Sequence, residues 1–301
     1  MPCFRPLHGH KSADLTINGK RRITFGAGGF RDLPVTVPCG QCIGCRLERS
    51  RQWALRCVHE MQLHQTSSFI TLTYDDEHLP EGNTLVKRDF QLFMKRLRKH
   101  ANTKIRFFHC GEYGESTLRP HYHAILFGFN FDDRRKHSEG ARGAPLFVSD
   151  TLTKLWGLGH CTIGEANFET AAYTARYILK KVTGEKADAH YKSFDPKTGE
   201  IFQRLPEYVT MSRNPGIASG WFDRFKSDVY PSDFLVLRGK RMLPPKFYDR
   251  VYAGFDPEAV KRLKWARQAK AAKNKAHNTP ERLLVRQEVK TAQIRSLQRK
   301  L

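Results

Sequence analysis

At 301 residues with 40% hydrophobic content, the chain is long enough for one or two domains with a sizeable core, and wholesale disorder is excluded. Its formal net charge of +22 gathers polyanions, of which phosphate backbones are the commonest. No long apolar span or basic amphipathic anchor points to a membrane, no signal-like segment opens the chain, and seven cysteines favour metal ligands or buried small hydrophobes over disulfides, so a soluble intracellular protein is expected.

Residues 1–38 mix Pro, Gly and basic residues with little periodicity, and they read as an extended arm admitting at most a hairpin. The run Cys39-Gly-Gln-Cys42-Ile-Gly-Cys45 then makes a turn whose thiolates converge as a tetrahedral structural zinc site requires, with Cys3 the candidate fourth ligand. The alternative is unliganded thiols at a helix start. From about Arg46 to Gln65 a basic amphipathic helix is predicted, burying Leu47, Trp53, Ala54, Leu55, Cys57, Val58 and Met61. Within it, His59-Glu60 and His64 do not make a zinc-protease motif. The histidines are five apart, about 140° round a helix, where that chemistry needs four. Cys57 reads as core filler.

Phe69-Ile-Thr-Leu-Thr-Tyr74 is a β-prone run ended by the turn Asp75-Asp76. A helix follows over Arg88–His100, with Phe90, Phe93, Met94 and Leu97 at helical spacing. Strands over Lys104–Tyr113 and from Pro120 to Phe129 form an antiparallel hairpin across the loop Gly114–Pro120. Residues 130–149 form a polar excursion carrying Arg134, Arg135, Lys136 and Arg142. A short helix at Thr151–Trp156, a strand at His160–Gly164 and a helix over Phe168–Val182 come next. Lys192–Gly199 reads as a loop and Met211–Trp221 as a structured turn. Residues 257–301, with thirteen Lys and Arg against three Glu, suit two helices split near Asn278-Thr-Pro280. Such order points to an α+β fold with a central antiparallel β-sheet and flanking helices. The domains expected are 1–66 (arm, Cys-rich turn and basic helix), 67–230 (core) and 231–301 (basic, partly helical).

The chemistry centres on His121 and His123, two apart on one strand face and so able to share a metal ion. The plain alternative is two solvated strand-end histidines. If the hairpin pairs residue 112 with 121, and hence 110 with 123, Glu112 joins that face as third ligand, while Glu115 in the loop is its rival. Nitrogen and oxygen ligands with open positions suit Mg²⁺ or Mn²⁺ acting on phosphate, with zinc as the other candidate. On the helix Phe168–Val182, Ala171, Ala175, Ile178 and Val182 make an apolar stripe. Tyr173, Tyr177 and Lys180 lie nearly opposite it, flanked by Lys181. Most such tyrosines are half-buried packing residues, yet two phenols four apart also offer duplicate nucleophiles. A free phenol has a pKa near ~10, so Lys180 and a metal-polarised phosphate would be the means of making attack feasible.

The run Phe69–Tyr74, the His121-Tyr122-His123 triplet and Tyr173-x-x-x-Tyr177-x-x-Lys180, in that order, resemble the three motifs of rolling-circle HUH endonucleases. Cys39-Gly-Gln-Cys-Ile-Gly-Cys-Arg46, Cys110-Gly-Glu-Tyr-Gly114, Arg119-Pro-His-Tyr-His123 and Met211-Ser-Arg-Asn-Pro-Gly216 resemble the replication initiators of gokushovirus-type microviruses, over roughly residues 1–222. The resemblance implies a central antiparallel sheet with the tyrosine helix packed beside the histidines. It implies nicking of a single-stranded or supercoiled viral DNA origin by Tyr173 or Tyr177, forming a 5′-phosphotyrosine and releasing a 3′ hydroxyl for the host polymerase. The second tyrosine would cleave the regenerated origin, and the stored bond would join the displaced strand into a circle. That fits the lack of a Walker-type loop. Lys181, Arg213 and Arg119 are candidate DNA contacts, the host helicase and polymerase are expected partners, and the host bacterial cytoplasm is the expected location. A non-catalytic zinc-dependent nucleic-acid binder is the alternative, for which the cysteines and the charge would suffice.

Overall fold

The computed structural model describes residues 3–17, 19–114, 117–140, 143–176, 181–182, 185–194 and 198–298. The chain divides into two compact units, 1–49 with 261–301, and 50–260. In the smaller unit, strand β1 (Leu7–Leu15) pairs antiparallel with β2 (Arg21–Thr24) on one side and β3 (Gly29–Val37) on the other. The expected arm is therefore a three-stranded sheet. Register shifts between His10 and Lys11, and between Lys11 and Leu15, break the period of two that would have announced it. A turn carrying three cysteines then leads into α1 (Ile43–Met61), inside which the first unit boundary falls.

The larger unit is built on β4 (Ser67–Tyr74), whose burial alternates residue by residue. After it come α2 (Lys87–Ala101), β5 (Arg106–Tyr113), β6 (Pro120–Phe127), and the hairpin β7 (Arg135–Glu139) and β8 (Pro145–Val148) within the polar excursion. Next are α3 (Asp150–Trp156), β9 (Gly159–Glu165) and α4 (Phe168–Arg176), then α5 (Lys186–Tyr191), β10 (Lys192–Phe194), β11 (Ile201–Gln203) and β12 (Tyr208–Met211). Among the described residues the main sheet is antiparallel, with strand order β12-β5-β6-β4-β9-β8-β7, and β10 and β11 form a separate hairpin. The α+β fold with a central antiparallel sheet is thus observed.

One face of that sheet carries the core. Ile70, Leu72 and Tyr74 of β4 and Tyr122, Ala124 and Leu126 of β6 pack with Phe90, Phe93, Met94 and Leu97 of α2 and Leu152 and Trp156 of α3. Each fully buried Leu, Ile, Phe or Met among them contributes roughly 1.5–3 kcal/mol by leaving water. Within the core, Tyr74 donates to Asp89 at 2.6 Å and shares a 2.7 Å bond with Tyr122, and the Trp156 indole donates to the Thr73 carbonyl at 3.1 Å. Helix α3 starts on Ser149, whose hydroxyl accepts from the Leu152 amide, and ends at Gly157 in the left-handed region at φ 66°.

The other face receives α4 and the later part of α1, where Trp53 meets Phe108 at 5.2 Å. After β12 come α6 (Ser219–Val229), the small hairpin β13 (Leu235–Leu237) and β14 (Lys240–Met242), and α7 (Lys246–Tyr252). His59 stacks on Trp221 at 3.6 Å and bonds to the Tyr248 hydroxyl at 2.6 Å. Burial pushes its pKa down to about 4, which keeps it neutral. Glu60 takes the Arg106 guanidinium and the Ala218 amide, while Arg56 donates twice to the Ile217 carbonyl. The buried charges of α1 therefore hold the turn that contains Met211–Gly216. The second unit boundary falls inside α8 (Pro257–Ala272), and α9 (Pro280–Gln298) follows, opened by Thr279 and a proline at its first position. Among the described residues no helix is long and apolar enough to cross a membrane.

Candidate active site

The β5–β6 hairpin closes with Gly114 donating to the Arg119 carbonyl at 3.0 Å, and its register pairs Glu112 with His121 and Cys110 with His123, as expected. Directly opposed residues share a face, so Glu112, His121 and His123 converge on the face away from α2. Glu112 Oε1 lies 2.8 Å from His121 Nε2 and 2.9 Å from His123 Nε2. Burial opposes the charge on Glu112, but hydrogen bonds from the two histidines outweigh it and bring its pKa down to about 2.

The tautomer of His121 bears on what fits here. Its Nδ1 sits 3.1 Å from the Arg119 carbonyl, which can only accept, so geometry assigns the proton to Nδ1. With that proton on Nδ1, Nε2 can exchange its bond to Glu112 for a lone pair given to a shared cation. Octahedral ligands about 2.1 Å from a small divalent cation stand about 3 Å apart, close to the separations observed. The three ligand atoms lie within 4.8 Å of one another, and the donor set fits such an ion.

Two residues not singled out from the sequence support the histidines. Thr71 Oγ1 lies 2.9 Å from His123 Nδ1, and the Phe69 ring stacks on His123 at 5.5 Å and 7°. Both belong to the β-prone run Phe69–Tyr74, where alternation places Phe69, Thr71 and Thr73 on the histidine face. That alternation, with threonines on the face opposite Ile70 and Leu72, was the available signal.

Helix α4 starts with a reciprocal cap, Thr170 donating its amide to Asn167 Oδ1 at 3.0 Å and Asn167 its amide to Thr170 Oγ1 at 2.9 Å. It docks through buried Ala171, Thr174 and Ala175, and Ser50 donates to the Ala172 carbonyl at 3.2 Å. Tyr173 does not face away from the sheet. Its ring stands edge-on to His123 at 5.2 Å and to Phe69 at 6.3 Å, with the Arg176 guanidinium 5.8 Å from its centroid. The helix is shorter than the Phe168–Val182 expected. Its described part ends at Arg176, and Val182 is not helical because its amide donates to the Tyr191 hydroxyl at 2.9 Å. Tyr177, Ile178 and Lys180 lie outside the described residues, as does Glu115. Lys181 and Arg213 are exposed, and Arg119 donates to the Tyr74 carbonyl at 2.9 Å and pairs with Asp76.

In the smaller unit the sulfurs of Cys3, Cys39, Cys42 and Cys45 lie within 4.8 Å of one another. Cys3 Sγ is 3.8 Å from Cys39 Sγ and 4.0 Å from Cys42 Sγ. A disulfide needs about 2.05 Å, whereas a zinc tetrahedron with bonds near 2.3 Å has edges of about 3.8 Å. Backbone amides of Phe4, Cys39 and Cys42 point at sulfur from 3.3, 3.4 and 3.3 Å. Burial opposes the thiolate of Cys42, but amide bonds from Phe4 and Cys45 outweigh it and bring its pKa down to about 6. Four converging sulfurs, one of them poised as a thiolate, fit a structural zinc ion.

A family model described as replication-associated protein ORF2/G2P matches residues 67–182, the stretch that holds the sheet centre and α4. The chain is 31% identical over 269 residues to replication-associated protein VP4 of Bdellovibrio phage phiMH2K, covering 86% of this chain and 79% of that protein. It is 35% identical over 228 residues to replication-associated protein ORF2 of Spiroplasma virus 4, covering 71% and 67%. Replication-associated protein ORF4 of Chlamydia phage 1 is 32% identical over 170 residues, covering 52% and 42%. No solved structure matches.

Proposed function

Because the chain belongs to the phage replication-associated proteins, the family of the ORF2/G2P and VP4 relatives, we propose that it initiates rolling-circle replication by nicking the phage DNA origin with a tyrosine nucleophile. The observation that carries this reading is the placement of the Tyr173 ring against His123, one of three side chains whose ligand atoms converge. A divalent cation held by Glu112, His121 and His123, Mg²⁺ or Mn²⁺ by its ligand types, would polarise the scissile phosphate and offset charge on its oxygens.

The chain's own residues do the rest. The Arg119 carbonyl and the Thr71 hydroxyl keep both Nε2 atoms aimed at one point, which costs no reorganisation when DNA arrives. The Tyr173 phenol oxygen attacks phosphorus, the bond to the 3′ oxygen breaks, and the phenol proton is matched by the one the leaving 3′ hydroxyl gains. The tyrosine then carries the 5′ phosphate. Tyr177 is the proposed nucleophile for the second cleavage, with Lys180 assisting either phenol and Lys181, Arg213 and Arg119 contacting the strand. Attack of a 3′ hydroxyl on the phosphotyrosine rejoins DNA without nucleotide hydrolysis. The chemistry is assigned to the 67–230 core, zinc binding to the 1–66 region and non-specific DNA binding to the basic 231–301 region. Bound by the four cysteines, a structural zinc ion would stiffen residues 3–45. The reaction takes place in the host bacterial cytoplasm, where helicase and polymerase extend the freed end.

The deciding assay incubates the protein with Mn²⁺ and labelled single-stranded origin DNA and looks for label on the protein after denaturing electrophoresis. Wild type is expected to carry the adduct, and Tyr173→Phe with Tyr177→Phe together to lose it. Label retained by the double variant would sink the tyrosine mechanism, and binding without any cleavage would leave the zinc-dependent binder.

A further inference from the structure

On the sheet face opposite the histidines, α2 and the strands β5 and β12 enclose a cleft of about 340 Å³. Alternate residues supply its floor, Phe107 and His109 from β5 and Tyr208 and Thr210 from β12, and Lys87 and Lys95 of α2 stand exposed on its wall. The volume is at the lower end of small-molecule sites, roughly 300–1,000 Å³.

We propose that this cleft binds a nucleotide, its base meeting His109 Nε2 and the Tyr208 hydroxyl and its phosphate meeting Lys87 and Lys95. His109 is 1% exposed, and its Nδ1 is occupied by Thr210 Oγ1 at 2.9 Å. Its Nε2 and the Tyr208 hydroxyl are both buried without a hydrogen-bond partner among the described residues. Two orphaned polar atoms beside one cleft are rare in a native fold; both are sealed from solvent, so a ligand that pairs them must displace the side chains that cover them.

The surroundings narrow the ligand. His109 cannot turn away, because Phe90 stacks on it at 3.4 Å and 7°. Tyr208 lies flat over Gly111, where an added Cβ would come within 2.8 Å of the tyrosine ring. Lys87 Nζ sits 4.8 Å above the Tyr208 ring, and Arg98, held on the Ile105 carbonyl at 2.9 Å, stands beside Phe107. An apolar guest would leave the orphaned atoms unpaired, and a bare phosphate would not use the aromatic floor. A planar group with a polar edge and an attached anion uses all of it. Thr210 can donate to His109 Nδ1 or accept from it, so Nε2 can face either an acceptor or a donor on the base. Choosing a nucleotide among planar anions rests on the proposed action on DNA. The unit can come from a strand or from a free nucleotide.

The test uses the full chain with its zinc, no added Mg²⁺ or Mn²⁺, and Tyr173→Phe with Tyr177→Phe together, so that neither the nicking metal nor a nucleophile matters and failure of the nicking mechanism leaves the result readable. The probes are 5-iodo-2′-deoxyuridine 5′-monophosphate and a ten-nucleotide oligo-dT carrying one 5-iodouracil. Irradiation should attach a probe to peptides containing Phe107 or Tyr208. Adding Tyr208→Phe should weaken binding roughly three- to tenfold while leaving the melting temperature at or above that of the parent, since its hydroxyl has no hydrogen-bond partner among the described residues. Lys95→Glu should weaken it similarly and flatten its salt dependence. Labelling by the oligonucleotide alone assigns the cleft to a strand, and labelling by the mononucleotide alone to a free nucleotide, and both support the site. Absence of adducts, or adducts elsewhere with Tyr208→Phe and Lys95→Glu affinities within twofold of the parent, overturns it.

Discussion

The four-cysteine cluster and the Glu112, His121 and His123 cluster both gather electron pairs at one point, and they do so with opposite chemistry. In the first, all four donors are sulfur, three from the turn Cys39–Cys45 and one from Cys3, which fills a tetrahedron and leaves no place for a substrate. In the second, three nitrogen and oxygen donors come from two adjacent strands, while a magnesium-like cation takes six ligands, so half its positions stay open. The supports differ as well. Backbone amides point at the sulfurs, a carbonyl and a hydroxyl hold the imidazoles, and the Tyr173 ring stands against the second cluster. One arrangement suits holding a chain together and the other suits holding a phosphate.

The largest effect expected from breaking this contrast lies at the cysteines. Structural zinc contributes on the order of 10 kcal/mol to small zinc-bound folds, so Cys42→Ser should release the metal and unfold residues 3–45. Zinc content by elemental analysis and limited proteolysis of that segment would check it. Metal-free wild-type protein with an unchanged digestion pattern would contradict the assignment.

At the open cluster the loss should fall on chemistry instead. His123→Ala is expected to reduce nicking at least about 1,000-fold, or about 4 kcal/mol of barrier, with zinc content and low-salt DNA binding preserved. A parallel loss of binding in a gel-shift titration would make the histidine structural and erase the contrast.

Acid separates the clusters next. The Glu112 carboxyl is lowered from 4.5 to about 2 in the folded chain, so its ionised form adds stability that is complete above pH 4.5 and disappears as pH falls through about 2. A shift of about 2.5 units at 1.36 kcal/mol each is on the order of 3 kcal/mol. Denaturation of metal-free protein followed between pH 5 and pH 2 should show that slope, and Glu112→Gln should flatten it. An unchanged slope in the variant would place the acid sensitivity elsewhere.

How much of this could be read in advance depended on where each interaction partner sits in sequence. The hairpin register was legible because the loop Gly114–Pro120 is short and the histidines are two apart, so one pairing puts Glu112 on their face. The three-stranded sheet of residues 7–37 was hidden by its two register shifts, and the end of α4 by the bond from Val182 to Tyr191, nine residues on. Arg56 and Glu60 are not among the residues that the amphipathic pattern marks as buried. Their partners at Arg106, Ile217 and Ala218 are remote in sequence, so no local pattern marks them as buried.

Thr71 is the hardest of these residues to read and makes the finest test. A threonine in a strand satisfies β-propensity by itself, so alternation places Thr71 on the histidine face without marking it as a ligand support. Its hydroxyl nevertheless lies 2.9 Å from Nδ1 of His123, opposite the nitrogen that faces Glu112. Thr71→Val keeps the shape and removes that bond. If the hydroxyl fixes the tautomer and ring angle, Mn²⁺ affinity should fall about 10- to 100-fold, as is usual when an outer support of a metal-bound imidazole is lost. Rising Mn²⁺ should then restore nicking, because the ligands themselves remain. Titrating activity against Mn²⁺ separates this from a lost nucleophile, which no metal concentration would rescue. A Thr71→Val enzyme with a wild-type Mn²⁺ curve would show that the ring contacts of Phe69 and Tyr173 hold His123 in place without the hydroxyl.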